Sequence, residues 1–211
     1  GRLRDAQTCL QRLKLLARAE CGPVVLQLVR AGGMEMDAAT GRLDGVNAAI
    51  AEMARVSTLD SGTYLQVAYD YFRGLGDFAS KRFAAALACF QRGLLTLRAT
   101  RVAMDFEADL LAAIAETQWA LGDGVEARAA ALEALRMARQ RNHRVAECRA
   151  LLVLARRAQE RPGRESPTPG EPDWLAQAGR LLEQTGADQL RPIWRALQAK
   201  KRRRAAVAPM P

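Results

Sequence analysis

The sequence predicts an all-α protein made of antiparallel helix pairs that stack on one another as an α-solenoid. Apolar residues recur at steps of three and four along most of the chain, as in Leu87, Phe90, Leu94 and Leu97, and this spacing places them on one face of a helix. Alanine and leucine dominate the composition, while β-branched runs and alternating strand segments are nearly absent. A short string of residues also returns along the chain, which indicates a repeated helix–turn–helix unit.

Length and composition favour one folded domain. The chain has 211 residues, of which 49% are hydrophobic and 26% charged, enough apolar surface for a core. No apolar run reaches the length that a bilayer-spanning helix needs, and the first residues open into an amphipathic pattern rather than a signal peptide. Cys9, Cys21, Cys89 and Cys148 form no Cys-x-x-Cys pair, so we expect buried thiols in a reducing, cytoplasmic compartment.

The periodicity divides the chain into about ten helices. Asp60-Ser61 and Asp173 are expected to cap helix starts, and Gly32-Gly33 is expected to break or end a helix. The predicted helices cover residues 2–20, 23–31, 34–41, 44–57, 61–75, 79–99, 101–121, 124–141, 143–160 and 173–186, with a last one near 188–203 if 23–41 is a single broken helix.

One segment interrupts this pattern. Residues 161–172 contain four prolines and two glycines and therefore predict an exposed loop. We expect a single repeat domain over residues 1–204 that includes this loop, followed by a flexible tail at 205–211.

The repeat is visible in strings that contain aspartate. Residues 44–48 (Asp-Gly-Val-Asn-Ala) return as 123–127 (Asp-Gly-Val-Glu-Ala), and Leu75-Gly76-Asp77 matches Leu121-Gly122-Asp123. The three aspartates, at 44, 77 and 123, are 33 and 46 residues apart. In each Gly-Asp pair the glycine is expected to end one helix in the left-handed conformation and the aspartate to cap the next helix.

The small and large apolar positions of these units resemble tetratricopeptide repeats. The second-helix pattern is carried by Ala86, Phe90 and Gly93 and by Ala127, Ala131 and Ala134, and the first-helix pattern by Leu65, Ala68, Tyr69 and Phe72 and by Leu111, Ile114, Ala115 and Gln118. The units are longer than the standard 34-residue repeat and lack its helix-ending proline. Segments 132–142 and 181–192 look more like the divergent arrays of maltose-activator-like (STAND) bacterial regulators and of class III adenylate-cyclase-linked proteins.

This resemblance covers about residues 24–198 and implies a right-handed superhelix whose first helices line a concave groove. It implies a non-enzymatic module that binds a protein or peptide, as the sensor or scaffold region of a larger signalling or transcriptional regulator. Trp119 is the expected anchor, although packing between repeats is an equal explanation for it. The groove positions carried over from the repeat register are Gln66, Asp70, Arg73, Asp109, Glu116, Trp119, Arg149, Arg156 and Gln159.

Motifs of enzyme chemistry are absent from the sequence. It contains no Gly-x4-Gly-Lys-Ser/Thr phosphate loop and no Gly-x-Ser-x-Gly elbow. The only histidine, His143, lies four residues before Glu147 and could form half of a metal site, but a surface histidine at a helix start is favoured. Asp105 and Asp109 are interpreted as acidic residues that favour a helix N-terminus. We therefore expect no catalytic residue, metal or cofactor.

The charge is concentrated at one end of the chain. Five residues, Lys200, Lys201, Arg202, Arg203 and Arg204, supply five of the net +9 charges. This basic tail predicts, as the alternative function, binding to nucleic acid or an anionic surface, and it equally fits a solvated helix end. An exposed apolar end with Leu10, Leu13 and Leu16 would allow pairing with a second copy.

Overall fold

The computed structural model describes residues 3–20, 62–160 and 172–207, together with scattered positions between 29 and 51. Gly32 and Gly33 are among these positions and are helical, contrary to the prediction that this pair breaks or ends a helix. The described residues form α-helices and two short 3-10 turns, Met104–Phe106 and Asp188–Leu190, and no strand occurs among them. The all-helical class is therefore confirmed. The helices are α1 (Leu3–Glu20), α2 (Thr63–Ala79), α3 (Phe83–Thr100), α4 (Glu107–Leu121), α5 (Gly124–Gln140), α6 (Arg144–Glu160), α7 (Trp174–Thr185) and α8 (Arg191–Val207).

Most helix boundaries lie close to the predicted ones, and the differences have local causes. Helix α2 extends to Ala79 instead of ending near residue 75, and α3 begins only at Phe83. Helix α8 reaches Val207 and so includes the first part of the segment expected to be a flexible tail. The predicted helices 23–31, 34–41 and 44–57, apart from single positions, and the loop 161–172, apart from Pro172, lie outside the described residues.

Glycine and aspartate form several of the predicted turns. Gly122 ends α4 with φ 91°, the left-handed conformation expected for it. The Asp173 carboxylate accepts a hydrogen bond from the backbone N–H of Ala176 at 3.1 Å, so its prediction as an N-cap is confirmed. Asp123 occupies the N-cap position of α5, but its side chain makes no capping hydrogen bond.

The Gly76-Asp77 pair does not form the predicted turn. Both residues lie inside α2, and the turn follows at 80–82, where Lys81 has a positive φ of 60°. The Asp77 carboxylate is buried and accepts a 2.6 Å hydrogen bond from Arg82 Nη2. The Asp77 carboxylate is thus bound by the Arg82 guanidinium and not by the free N–H groups at the start of α3. The prediction that Asp77 caps α3 is wrong.

Each helix from α2 to α8 packs against the next one along the chain, and α4 also contacts α6. The buried side chains form two hydrophobic cores that meet at α4. Leu110, Ala113 and Ile114 belong to the core shared with α2 and α3, whereas Leu111 and Ala115 belong to the core shared with α5, α6 and α7. Helix α4 is therefore buried almost all round, as a central helix should be.

Other predictions concern the thiols and the membrane. Cys89 and Cys148 are buried as predicted, Cys9 is exposed, and Cys21 lies outside the described residues. In the described part of the chain, none of the helices has both the length and the apolar character to cross a bilayer. Leu13 and Leu16, two of the leucines expected at an apolar end, are exposed on α1.

Gly74 allows α2 and α3 to approach closely, so we predict that Gly74→Ala destabilises the protein. An added Cβ would lie 2.6 Å from Phe90 Cδ1 and 2.7 Å from Cζ, and this ring is fully buried. Overpacking of this kind costs about 1–3 kcal/mol. Alanine stabilises a helix relative to glycine by at most about 1 kcal/mol, so the overpacking outweighs this gain. The measurement is the free energy of unfolding in urea.

Gly62→Ala is the matched control, because nothing lies within 4 Å of its added Cβ. It should cost only about 0.5–1 kcal/mol, the loss expected when alanine replaces glycine at an N-cap. Equal losses in the two variants would contradict close packing at Gly74.

Candidate functional site on the α2–α4–α6 face

Three alternate helices bring polar side chains to one surface. Each helix contributes a pair of residues seven positions apart, a spacing of about two helical turns that keeps both on one side. We call this surface the α2–α4–α6 face; it consists of Tyr64 and Tyr71 on α2, Asp109 and Glu116 on α4, and Arg149 and Arg156 on α6.

Arg149 lies at the centre of the face. Its Nη2 donates to Glu116 Oε2 at 2.7 Å, its Nε donates to Glu116 Oε1 at 3.3 Å, and its Nη1 donates to the Tyr71 hydroxyl oxygen at 3.3 Å. The side chains of Arg149 and Glu116 are only 11% and 16% exposed. Burial acts to lower the pKa of Arg149, but the Glu116 carboxylate, with Tyr71 and Asp109, outweighs it and holds that pKa well above its ordinary value. One charged group thus connects α2, α4 and α6.

Asp109 is compensated less completely. Its Oδ1 lies 4.0 Å from Arg149 Nη1 and its Oδ2 lies 3.5 Å from His143 Nε2. Burial is the main cause that raises the pKa of Asp109, and Asp105 and Glu116 add to it, whereas His143 and Arg149 act in the opposite direction. This carboxylate therefore binds a proton more readily than an exposed aspartate does.

Tyr64 and Asp105 form the rim of the face. The Tyr64 hydroxyl donates to Asp105 Oδ2 at 2.9 Å. Burial, followed by this hydrogen bond to a carboxylate, raises the pKa of Tyr64 to about 12. The phenol consequently stays protonated near neutral pH, and the exposed Asp105 keeps a donor beside it.

The predicted groove residues divide into two sets. Asp109, Glu116, Arg149 and Arg156 lie on the α2–α4–α6 face. Asp70 does not, because it is fully buried between α2 and α3 and accepts a 2.6 Å hydrogen bond from Arg92 Nη2.

The other predicted residues are not among the six that define the α2–α4–α6 face. Gln66 is half-buried, and the exposed Arg73 donates to the Tyr69 hydroxyl at 2.9 Å. Trp119 is half-buried against the core that α4 shares with α5 and α6, which agrees with its alternative role in packing. Gln159 donates through Nε2 to the Leu197 carbonyl at 3.0 Å and so contacts α8.

The basic tail is the end of α8. Lys201 Nζ donates to Asp173 Oδ2 at 2.8 Å, and this hydrogen bond is the main cause that lowers the pKa of Asp173. Arg204 donates to the carbonyl of Gln159. Lys200, Arg202 and Arg203 are exposed. A shallow depression of about 120 Å³ lies beside them and is lined by Asp173, Leu175, Ala176, Gln198, Lys201 and Arg202.

The half metal site considered from the sequence, His143 with Glu147, does not form. Glu147 does not pair with His143; it accepts hydrogen bonds from Arg139 and Arg144 at 2.9 and 3.1 Å. No group of three metal-ligating side chains occurs within the part of the chain that the structure describes. Burial raises the pKa of the Cys148 thiol to about 12, which disfavours the reactive thiolate.

Sequence reasoning missed the arginines that hold buried carboxylates. Glu107 accepts hydrogen bonds from Arg98 at 3.1 Å and from Arg141 at 3.0 Å. Glu147 accepts hydrogen bonds from Arg139 and Arg144. Glu107 and Glu147 are 40 residues apart, and so are Asp109 and Arg149. The aspartates at 44, 77 and 123 are 33 and 46 residues apart, so a search for charged residues about 40 positions apart would have found Glu107 with Glu147 and Asp109 with Arg149.

Comparison with protein-family models, with curated proteins and with solved structures gave no match.

The ion pair on this face gives the next prediction: Glu116→Gln should lower the free energy of unfolding by about 2–3 kcal/mol. The substitution leaves the buried Arg149 guanidinium without its principal counter-charge, and an unpaired buried charge is costly. The measurement is urea unfolding near neutral pH.

Asp188→Asn is the matched control, because Asp188 pairs with Arg191 but is 64% exposed. It should cost less than about 1 kcal/mol. A loss in Glu116→Gln no larger than in Asp188→Asn would show that the Arg149 cluster adds nothing to stability.

Proposed function

We propose that this chain is a non-enzymatic helical-repeat module that binds a protein or peptide on the α2–α4–α6 face. The observation that supports this most directly is the convergence of three alternate helices on Arg149. In a stack of helix pairs, alternate helices lie side by side and form one continuous surface that can receive an extended ligand.

The packing of the helices also supports an α-solenoid of antiparallel pairs. Contacts between consecutive helices, together with the contact of α4 with α6, are what such a stack produces. In that arrangement α2, α4 and α6 are the first helices of successive pairs, and α3, α5 and α7 are the second helices. The resemblance to tetratricopeptide arrays adds the proposal that this module is the sensor or scaffold region of a larger regulator in the cytoplasm.

The ligand would contact the outer members of the face. Arg149 and Glu116 are nearly buried and already paired, so they provide a rigid floor rather than free contacts. Arg156 follows Arg149 by seven residues on the same side of α6 and is half-buried. A side chain of this kind can make a new charged contact at low cost because its surroundings are already ordered. Gln66, Arg73 and Trp119 lie toward the edges.

The direct test is selection of short peptides from a random displayed library on the immobilised full chain. Arg156→Ala should weaken the binding of a selected peptide by about tenfold, measured by fluorescence anisotropy, because it removes a charged contact with the ligand. Arg136→Ala is the matched control; Arg136 is exposed on α5, outside the face.

Enrichment of peptides whose affinity depends on Arg156 but not on Arg136 supports the proposal. Failure to enrich any peptide, or equal affinity for the two variants, contradicts it.

The end of α8 supports a second candidate function, binding to a nucleic-acid backbone. Arg202 and Arg203 are exposed side by side, while Lys201 and Arg204 hold the helix end against α7 and α6. Ordered cations of this kind neutralise phosphates without reading the base sequence.

For this candidate we predict that wild-type binding to a labelled DNA duplex weakens steeply between about 50 and 200 mM salt. The double variant Arg202→Glu with Arg203→Glu should bind about tenfold more weakly at low salt. A variant with Arg136→Glu and Arg180→Glu has the same net charge but changes exposed residues elsewhere, and it should bind like the wild type. Equal weakening in both variants would indicate attraction by net charge alone.

A further inference from the structure

His143 and Asp109 connect the start of α6 to the start of α4. His143 directly precedes α6, and its backbone is held at both ends: its N–H donates to the Ala138 carbonyl at 2.7 Å and its carbonyl accepts from Glu147 N–H at 3.0 Å. The Nε2–Oδ2 distance to Asp109 is 3.5 Å. The imidazole is 43% exposed and the Asp109 carboxylate 17%, so protons from solvent reach the pair.

The groups that face this pair leave a negative charge uncompensated. Helix α4 contributes the carboxylates of Asp109 and Glu116, and the preceding 3-10 turn contributes that of Asp105. Helix α6 contributes the Arg149 guanidinium, and α2 contributes the hydroxyls of Tyr64 and Tyr71. The Arg149 guanidinium donates hydrogen bonds to Glu116 and Tyr71, and Asp105 accepts a hydrogen bond from the Tyr64 hydroxyl. Among the hydrogen bonds of the described residues none reaches Asp109, so His143 and the more distant Arg149 are its compensating groups.

We propose that His143 and Asp109 form a proton-operated latch between α4 and α6. A proton on the pair creates an ion pair or a neutral hydrogen bond across the junction. Its loss leaves a mostly buried carboxylate beside an uncharged ring, which weakens the junction. Histidine is the side chain whose charge ordinarily changes between about pH 5 and pH 8, so the wild type and the variants are compared across that range.

The direction of the effect on stability follows from linkage. His143 Nε2 lies 3.5 Å from Asp109 Oδ2 in the folded chain and burial raises the pKa of Asp109, so folding favours a proton on the pair. The stabilisation is therefore fully present at low pH and is lost as the pH rises through the midpoint of the folded pair. Raising the pH should loosen α4 from α6.

The experiment uses the fact that His143 is the only histidine in the chain. Its ring Cε1–H resonance is followed by NMR as the pH is raised, in the wild type and in Asp109→Asn. The variant should titrate at least about half a pH unit lower, since the imidazolium loses its carboxylate. Asp188→Asn, which removes an exposed carboxylate of a different pair, is the control and should leave the titration unchanged.

The second measurement is the urea midpoint at about pH 6 and about pH 8 in the wild type and in His143→Gln. The half-exposed position of His143 allows this variant to fold even where Asp109→Asn does not. The wild-type midpoint should fall more steeply toward pH 8 than the midpoint of His143→Gln. An unchanged histidine titration in Asp109→Asn, or the same pH dependence in the wild type and His143→Gln, overturns the latch.

Discussion

Helix α4 belongs to two hydrophobic cores at once, and this constraint governs where the polar groups of the protein can lie. Its apolar residues pack toward α2 and α3 on one side and toward α5, α6 and α7 on the other. Polar side chains on such a helix reach water only at its ends or along a narrow edge, and otherwise they must find partners. Thr117 bonds back to the Ala113 carbonyl at 2.7 Å, and Glu107 and Glu116 are held by arginines of other helices.

The same arrangement recurs from one helix pair to the next. Glu107 at the start of α4 and Glu147 at the start of α6 are both buried, and each accepts a hydrogen bond from one arginine at the end of the preceding helix. Positions 109 and 149 are also equivalent, 40 residues apart, but they carry opposite charges. Asp109 and Arg149 approach to 4.0 Å between α4 and α6 and therefore attract each other, where the same charge at both positions would cause repulsion.

Features that depend on periodicity could be predicted from the sequence. The all-helical class, most helix boundaries, the left-handed Gly122 and the Asp173 cap all follow from residue types at fixed spacing. Where a longer-range partner competes with a local preference, the prediction failed. Asp77 was expected to cap α3, but Arg82 holds it inside α2.

That competition also explains the groove register on α2. Alignment of the two Gly-Asp pairs, 46 residues apart, made Asp70 the counterpart of Glu116. Since α2 continues through its Gly-Asp pair to Ala79, the side chain that meets Arg149 is Tyr71, one residue later. The uneven spacing of the aspartates predicts a late start of the second helix near residues 81–83, but the one-residue shift depends on the side-chain partners of Asp77 and Asp70, which the spacing does not show. On α4 and α6 the turn residues keep their expected places, and Asp109, Glu116 and Arg149 lie together on one face.

The incomplete pairing of Asp109 bears on function for an energetic reason. A mostly buried carboxylate without a hydrogen-bond donor costs free energy, and replacement by an apolar residue of similar size would remove that cost. The other buried carboxylates of the described chain, at positions 70, 77, 107 and 147, each accept hydrogen bonds from at least one arginine. Among the buried and mostly buried carboxylates of the described residues, Asp109 is therefore the one without a hydrogen bond, and it lies on the α2–α4–α6 face. Local violations of such rules concentrate where a protein binds or switches, because stability is given up there for another property. The incomplete pairing of Asp109 therefore favours the α2–α4–α6 face as the proposed binding surface over the end of α8, where Lys201 and Arg204 hold the helix against α7 and α6.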